Sequence, residues 1–217
     1  MARPRTRLLD RDRITIGALE LIDRDGDFTM PGLARHLGVQ VSSVYHHVPG
    51  GRNEVIEMVR VRVTNRVDGS AFDHLPWEEA LPVWGRSFLA AFTAHPFAIR
   101  LLATEPVRDP SLIAVYSSVA AGLRRAGFPD DQIIAVITAA ENFFVGSALN
   151  MTAPDIMVTP SSDGDADLLA ALRAAPHGAG RAKLAFDVGI RALIGGFRDM
   201  LDEHRLSDHK PDPSDTG

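Results

Sequence analysis

The sequence contains no cysteine, which excludes disulfide bonds, thiolate catalysis and zinc sites built on cysteine. It has no apolar run of about 20 residues and no signal-peptide core at its N-terminus, so we expect a cytoplasmic protein without a membrane span. Apolar residues make up 45% of the chain, which is ordinary for a globular protein. The length of 217 residues allows one or two domains.

Common enzyme signatures are also missing. We find no HExxH zinc motif, no phosphate-binding glycine loop and no GxSxG nucleophile elbow. His46 and His47 are adjacent, and adjacent helical side chains point about 100° apart, so the two cannot share a metal as an i,i+4 pair can. We therefore predict no catalytic residue, no metal and no cofactor, and an all-α enzyme remains only an alternative.

Charge is divided unevenly along the chain. The overall net charge is −5, yet residues 1–66 carry eleven arginines, no lysine and eight acidic residues, a net charge of +3. The remaining residues carry a net charge of −8. Such asymmetry is typical of a protein with one part that faces nucleic acid and another that does not, although a chance fluctuation gives the same pattern.

Two short amphipathic segments separated by Gly38 occupy the stretch from Met30 to Val48. Apolar residues recur at helical spacing in each segment: Leu33, Ala34 and Leu37 in the first; Val41, Val44, Tyr45 and Val48 in the second. Thr29 can cap the first segment, and glycine at position 38 suits the left-handed turn that ends a helix. Helix, tight turn and short helix form either an ordinary helical hairpin or a DNA-binding helix-turn-helix.

The residues that face outward favour DNA. No carboxylate occurs between Pro31 and Val48, whereas a merely solvated helix face is usually rich in Glu and Lys. Small polar and aromatic-polar groups can approach phosphates and base edges closely. The candidate DNA-binding residues are Thr29, Gln40, Ser42, Ser43, Tyr45, His46, His47 and Arg52.

Residues 13–63 resemble the DNA-binding domain of the tetracycline-repressor (TetR) family of bacterial regulators. The runs that carry the resemblance are IxxxALELIDRDG, FTMPGLARHLGV and SSVYHHV. The resemblance implies that Tyr45 and His47 contact phosphates, and we assign Gln40 and Ser42 to base edges. The chain departs from the family at Met30-Pro31-Gly32, where a lysine or arginine is common, and at Pro49-Gly50-Gly51-Arg52, where an Asn-Lys pair is usual. We expect Arg52 to supply the missing cation.

We predict an all-α fold without a sheet, since no segment alternates with period two. The four expected N-terminal helices cover about residues 12–23, 30–37, 41–48 and 52–67, and later ones cover about 77–95, 97–103, 111–126, 130–151, 167–175 and 183–204. The predicted divisions are a basic arm at 1–9, a helix-turn-helix domain at 10–67, a ligand-binding and dimerisation domain at 68–206 and a disordered tail at 207–217. Arg3, Arg5 and Arg7 in the arm suit either a minor-groove contact or a basic, unstructured terminus. A mobile loop is expected at 152–165.

The acidic half has aromatic and polar residues at helical spacing. Aromatic residues in such a pattern more often form core than line a binding cavity. The family resemblance implies a ligand pocket here, for which our candidates are Trp84, Phe88, Phe92, Leu101, Tyr116, Asn142 and Phe143. Arg100 to Pro106 contains no histidine that could help to hold a metal–tetracycline complex, so we do not expect tetracycline as the ligand.

Two expected helices of this half, 130–151 and 183–201, are apolar and rich in small residues, which allow close helix packing. Ordinary packing within the chain would explain that composition. A dimer is favoured because two recognition helices bind DNA better than one. The family resemblance also implies that the helices at 130–151 and 183–201 form a four-helix bundle with the same two helices of a second copy. The predicted dimer interface contains Phe144, Phe186, Gly189, Leu193 and Phe197. Together these features predict a homodimeric repressor that binds a palindromic operator and is released by a small, largely apolar effector. A DNA-binding protein without an effector is the alternative.

Overall fold

The computed structural model describes residues 8–155, 158 and 166–208, and this part of the chain contains eleven helices and no strand. The predicted all-α class is therefore confirmed. The helices are α1 Arg11–Asp25, α2 Met30–Leu37, α3 Val41–His47, α4 Gly51–Thr64, α5 Ala71–His74, α6 Trp77–Thr93, α7 Pro96–Leu102, α8 Pro110–Ala126, α9 Asp130–Met151, α10 Ala166–Ala174 and α11 Gly178–Asp208.

The chain forms two compact units. Unit 1 contains the described residues up to Val67 together with Ala90–Val115, and unit 2 contains Asp68–Leu89 and the described residues from Tyr116 onward. Unit 1 thus includes α7 and the ends of two other helices, which lie outside the predicted 10–67 domain. That addition was not visible in the sequence because no local pattern indicates which distant helix packs against α1.

The core of unit 1 lies between α1 and the helices packed on it, which are α2, α4 and α7. Its fully buried residues include Ile14, Ile22, Leu33 and Val55. In α1, the buried residues Ile14, Ala18 and Ile22 recur every four positions, so this helix turns one face inward.

A buried ion pair on α4 holds the segment between α7 and α8 within unit 1. Arg60, only 4% exposed, donates to the carbonyl oxygens of Leu102 and Glu105, both at 2.9 Å. Glu57 contacts the Arg60 Nε at 3.1 Å and accepts the backbone N–H groups of Arg108 and Asp109. Every charge and backbone group in this arrangement has a partner, which is the condition for burying it.

The core of unit 2 is an aromatic cluster. Phe144 is fully buried, and its ring lies 5.2 Å from Trp84, 5.8 Å from Phe88 and 6.4 Å from Phe186 between centroids. Gly85 makes this packing feasible, because a Cβ there would lie 2.6 Å from the Phe144 ring. Helices α9 and α11 pack side by side around the cluster.

Several boundaries differ from expectation. The stretch 68–76, for which we predicted no helix, contains the short helix α5, whose Phe72 is fully buried. Helix α11 begins at Gly178 rather than near Lys183 and continues to Asp208, so it extends into the tail that we expected to be disordered. Arg3, Arg5 and Arg7, most of the expected 152–165 loop and the tail beyond Asp208 lie outside the described residues.

One helix, α9, is long and apolar enough to cross a membrane by length and composition alone. Our expectation that no run approaches that length was therefore too strict. A core helix of a folded domain has the same composition, and α9 buries Ile133, Val136, Ile137 and Phe144 within unit 2.

Candidate nucleic-acid interface

The turn between α2 and α3 has the predicted helix-turn-helix geometry. Thr29 caps α2, and its hydroxyl accepts the Gly32 N–H at 3.1 Å. Gly38 ends the helix with a φ of +69°, a left-handed conformation that costs glycine nothing. The Val39 N–H then reaches back to the Ala34 carbonyl at 3.0 Å, which closes the last turn and redirects the chain into α3.

Helix α3 buries valine and exposes polar groups. Val44 and, just after the helix, Val48 are both fully buried. Five of the proposed DNA-binding side chains on or beside α3 are exposed: Gln40, Ser42, Ser43, Tyr45 and His46. His47 is half-buried, and its ring meets that of His46 edge to face at 5.6 Å. We call the exposed residues from Gln40 to His46, together with His47, the α3 face; it contains no carboxylate.

The apolar stripe predicted that Tyr45 lies with the valines in the core, but its side chain does not lie there. It is 44% exposed, and its ring lies against the backbone of the following turn. Gly51 has a φ of +63°, and a Cβ there would lie 3.1 Å from the Tyr45 ring. A glycine at this position therefore permits both the turn and the tyrosine that lies on it.

Two arginines of α1 cap the helix-turn-helix, and sequence reasoning missed both. Arg13 donates to the carbonyl of Leu37, the last residue of α2, at 2.7 Å. Arg11 donates to the carbonyl of His47, the last residue of α3, at 2.9 Å. Carbonyls at a helix C-terminus lack partners within the helix, and cations stabilise that end. The signal was absent locally because 36 residues separate Arg11 from His47.

Glu54 connects this cap to the turn before α4. Its carboxylate pairs with Arg11 at 2.5 Å and accepts the Gly50 N–H at 2.8 Å. Burial alone would raise the pKa of Glu54, but the hydrogen bonds from Arg11 and Gly50, with the arginine charge, hold that pKa below its ordinary value. The carboxylate therefore stays ionised and helps to fix the end of α3.

Arg52, which we expect to supply a cation to DNA, is ion-paired within unit 1. Its Nη2 lies 2.8 Å from Asp27, and its guanidinium lies 5.5 Å from the centre of the Phe28 ring. Burial alone would raise the pKa of Asp27, yet hydrogen bonds from Arg52 and from its neighbour's backbone, with the arginine charge, lower it. Arg52 thus holds the start of α4 to the loop before α2, and its contact with DNA stays a prediction.

The predicted ligand-pocket residues are divided between the two units. Phe92 and Leu101 belong to unit 1, whereas the other five belong to unit 2. Trp84 and Phe88 are buried in the aromatic cluster, and Phe143 stacks on Phe186 at 5.5 Å. Asn142 is exposed on α9, so its side chain does not line the interior. Tyr116 donates to Glu141, a residue absent from our predicted pocket set.

Three of the residues assigned to a dimer interface are buried within the single chain. Phe144, Phe186 and Phe197 are 0%, 3% and 6% exposed, so their rings form the core of unit 2 rather than a surface for a second copy. Gly189 faces the Phe143 ring, and Leu193 is half-buried. These three rings were misplaced because α9 and α11 are apolar on more than one face.

Each of these helices has an exposed stripe that is rich in small and apolar residues, although Arg191 and Asp199 are also exposed on the α11 stripe. A Cβ added at Gly146, Gly195 or Gly196 would meet nothing within 4 Å. We call this surface the α9/α11 face; its exposed or half-exposed members are Ala135, Thr138, Asn142, Gly146, Leu149, Leu184, Val188, Ala192, Gly195 and Gly196.

Metal chemistry finds no support in the described part of the chain. No group of three or more histidine, aspartate or glutamate side chains there is placed to hold an ion. His46 and His47 stand at the end of α3 without a carboxylate partner among the described ion pairs.

The fold and the α3 face define the class: a two-unit, all-α protein with an N-terminal helix-turn-helix. Residues 73–201 match the family model described as "Tetracyclin repressor-like, C-terminal domain". Since this match covers more than half of the chain, the protein belongs to the tetracycline-repressor family, as residues 13–63 had indicated.

Two curated relatives agree with this assignment. An HTH-type transcriptional regulator of Saccharopolyspora erythraea is 33% identical over 150 residues, and the HTH-type transcriptional repressor DrrR1 of Streptomyces coeruleorubidus is 27% identical over 143 residues. Each match covers 64% of this chain, but only 60% and 53% of the respective relatives.

Solved structures share the fold. Apo ActR from Streptomyces coelicolor superposes with a TM-score of 0.72 over 94% of this chain and 100% of its own, at 21% identity. ActR in complex with actinorhodin superposes with a TM-score of 0.68 over 91% of this chain and 99% of its own, at 23% identity. BioQ with its double-stranded DNA operator superposes with a TM-score of 0.59 over 87% of this chain and 98% of its own, at 18% identity.

Proposed function

We propose that this protein is a cytoplasmic, ligand-responsive transcriptional repressor that binds operator DNA as a homodimer. The observation that carries the proposal is the α3 face, whose polar side chains are exposed while Val44 and Val48 are fully buried behind them. A short helix backed by apolar residues and free of carboxylates can enter a major groove without repelling phosphates.

Three roles are proposed for the residues of this face. Tyr45 and His47 contact phosphates, which fixes the register of the helix on the duplex. Gln40 and Ser42 reach base edges, because short polar side chains near the N-terminus of a recognition helix lie deepest in the groove. Ser43 and His46 flank these contacts, and Thr29 lies at the start of α2, where its exposed side chain already caps the helix.

The α9/α11 face supports the homodimer. Exposed apolar side chains on adjacent helices, such as Leu149, Leu184 and Val188, favour burial against another surface. Gly195 and Gly196 would let a second helix approach closely. A two-fold dimer presents two α3 faces, and half-sites about 34 Å apart on successive turns of the duplex then match a palindromic operator.

We place the effector site in unit 2, where the aromatic cluster offers an apolar environment, and the ligand-bound ActR structure supports a ligand in this fold. An effector that binds better to a dimer with another spacing of α3 shifts the population away from the DNA-bound form. A coupling of about 1–3 kcal/mol suffices for graded release.

Sequencing of genomic DNA retained by the purified protein tests the proposal. We expect enrichment of one palindromic site whose half-sites are one helical turn apart, and steep weakening of binding as salt rises. Recovery of DNA without a shared sequence would favour a non-specific architectural protein, and recovery of none would contradict the DNA-binding role.

A further inference from the structure

Glu141 is a half-buried carboxylate of α9 that has no cationic partner among the described residues. Its Oε1 accepts the hydroxyl proton of Tyr116 on α8 at 2.5 Å. Among the ion pairs in the described residues, none involves Glu141. Helices α8 and α9 bring these two side chains together inside unit 2, where the aromatic cluster is also found.

The surroundings of Glu141 disfavour its charge. Burial raises the pKa of Glu141 above its ordinary value, and the hydrogen bond from Tyr116 offsets only part of that effect. A carboxylate kept in such a place costs folding free energy unless a positive group joins it.

The neighbouring turn of α9 supplies aromatic faces. Phe144 follows Glu141 by three residues, so both lie on one side of the helix, and its ring packs against Trp84 and Phe88. Aromatic faces attract organic cations through their quadrupole. Trp84 is 1% exposed, and its indole N–H has no acceptor in the described part of the chain. Buried donors without an acceptor are rare in proteins.

From these observations we propose that Glu141 anchors the effector and that the effector is an organic cation, an ammonium group on an aromatic or largely apolar body. The ammonium group donates to the Glu141 carboxylate, and the body packs against the aromatic cluster, whose side chains shift to admit it. An acceptor atom on that body would take the Trp84 indole N–H. This inference rests on the proposed function and adds the charge of the ligand to it.

A matched set of three probes tests the charge. The probes are 1-naphthylmethylamine, which is cationic at neutral pH, its neutral counterpart 1-naphthylmethanol, and the anion 1-naphthoate. Binding to the full-length, DNA-free protein is measured by calorimetry and by tryptophan fluorescence. Because a charge-assisted hydrogen bond is stronger than a neutral one, we expect the cation to bind about tenfold to a hundredfold more tightly than the alcohol, and the anion most weakly.

Glu141→Gln keeps the shape and the hydrogen bond from Tyr116 but removes the charge. In this variant the preference for the cation should disappear, while the alcohol binds as before. Glu79→Gln removes the same charge from an exposed position of α6 and should preserve the preference. Tyr116→Phe should keep or strengthen the preference for the cation, because the Tyr116 hydroxyl then no longer competes with the ammonium group for the Glu141 carboxylate.

Three results would overturn the proposal: equal binding of amine and alcohol by the wild-type protein, no binding of the amine at millimolar concentration, or a preference that survives Glu141→Gln. The wild-type comparison does not depend on the folding of any variant. Operator binding is measured separately without probe. Sequence-specific DNA binding without a cation preference overturns this inference alone, whereas a cation preference without DNA binding overturns the proposed regulatory function.

Discussion

The guanidinium of Arg11, near the start of α1, donates to the main-chain carbonyl of His47 at the end of α3, 2.9 Å away. The same side chain pairs with Glu54 at 2.5 Å, so one arginine joins the first helix, the end of α3 and the first turn of α4. Helix α3 has only seven residues and no side-chain cap of its own. Its orientation therefore depends on groups outside it.

Arg11→Met should weaken operator binding about tenfold, because it removes a charge-assisted hydrogen bond worth about 1–2 kcal/mol without touching the α3 face. The measurement is DNA affinity at several salt concentrations. If Arg11 acts by positioning α3, the slope of log affinity against log salt stays unchanged. A slope reduced by about one would show instead that Arg11 contacts a phosphate.

Arg62→Met is the matched control for that experiment. Arg62 is an exposed arginine of α4 that pairs with Asp12 at 2.9 Å, so its removal changes the charge of unit 1 equally. We expect little change in affinity. A loss as large as that of Arg11→Met would mean that net charge, rather than the cap on α3, explains both results.

Tyr45→Ala should abolish specific binding, with a loss of at least about tenfold, while the protein remains folded. The side chain is 44% exposed and its ring lies beside Gly51 rather than in the core, so we expect its removal to leave the unit 1 core intact. Mobility-shift titration measures the affinity, and circular dichroism measures helix content. Tyr45→Phe separates the hydroxyl from the ring. Unchanged affinity in Tyr45→Ala would refute the phosphate contact.

Val188→Glu should convert the proposed homodimer to a monomer. Val188 is 51% exposed in the middle of the α9/α11 face, and a carboxylate there would have to be desolvated in the proposed interface. Light scattering at micromolar concentration gives the mass. Val83→Glu places the same charge on α6, at a position 42% exposed outside that face, and should leave the mass unchanged. A monomeric wild-type protein, or a dimeric Val188→Glu variant, would disprove the assignment.

Glu141→Gln should raise the free energy of unfolding at neutral pH. Because burial raises the folded-state pKa of Glu141 above the unfolded value, ionisation destabilises the folded protein once the pH exceeds the unfolded pKa of about 4.3. The gain in free energy of unfolding should thus be largest at pH values above the folded-state pKa. It should shrink as the pH falls toward the pKa of ordinary glutamate. Urea unfolding at several pH values measures this difference in free energy of unfolding. A variant less stable than wild type at neutral pH would contradict the conclusion that ionised Glu141 destabilises the folded protein.

The helices and the helix-turn-helix could be predicted because their signals are local. Apolar spacing and Gly38 define α2 and α3 within eighteen residues of sequence, and α9 has the predicted bounds. The cap from Arg11 could not be predicted, since it depends on tertiary contact across 36 residues. The place of Phe144 was missed for another reason. Where a helix is apolar all round, periodicity does not indicate which face meets the chain's own core.

The buried pair of Glu57 and Arg60 has a mechanical consequence. Together they form hydrogen bonds with two carbonyls and two amides of the main chain in the loop between Leu102 and Asp109. Because packed interiors hardly compress, we expect a displacement of that loop to be transmitted to α4. The link is made with main-chain atoms of the loop, which are present whatever side chains the loop carries.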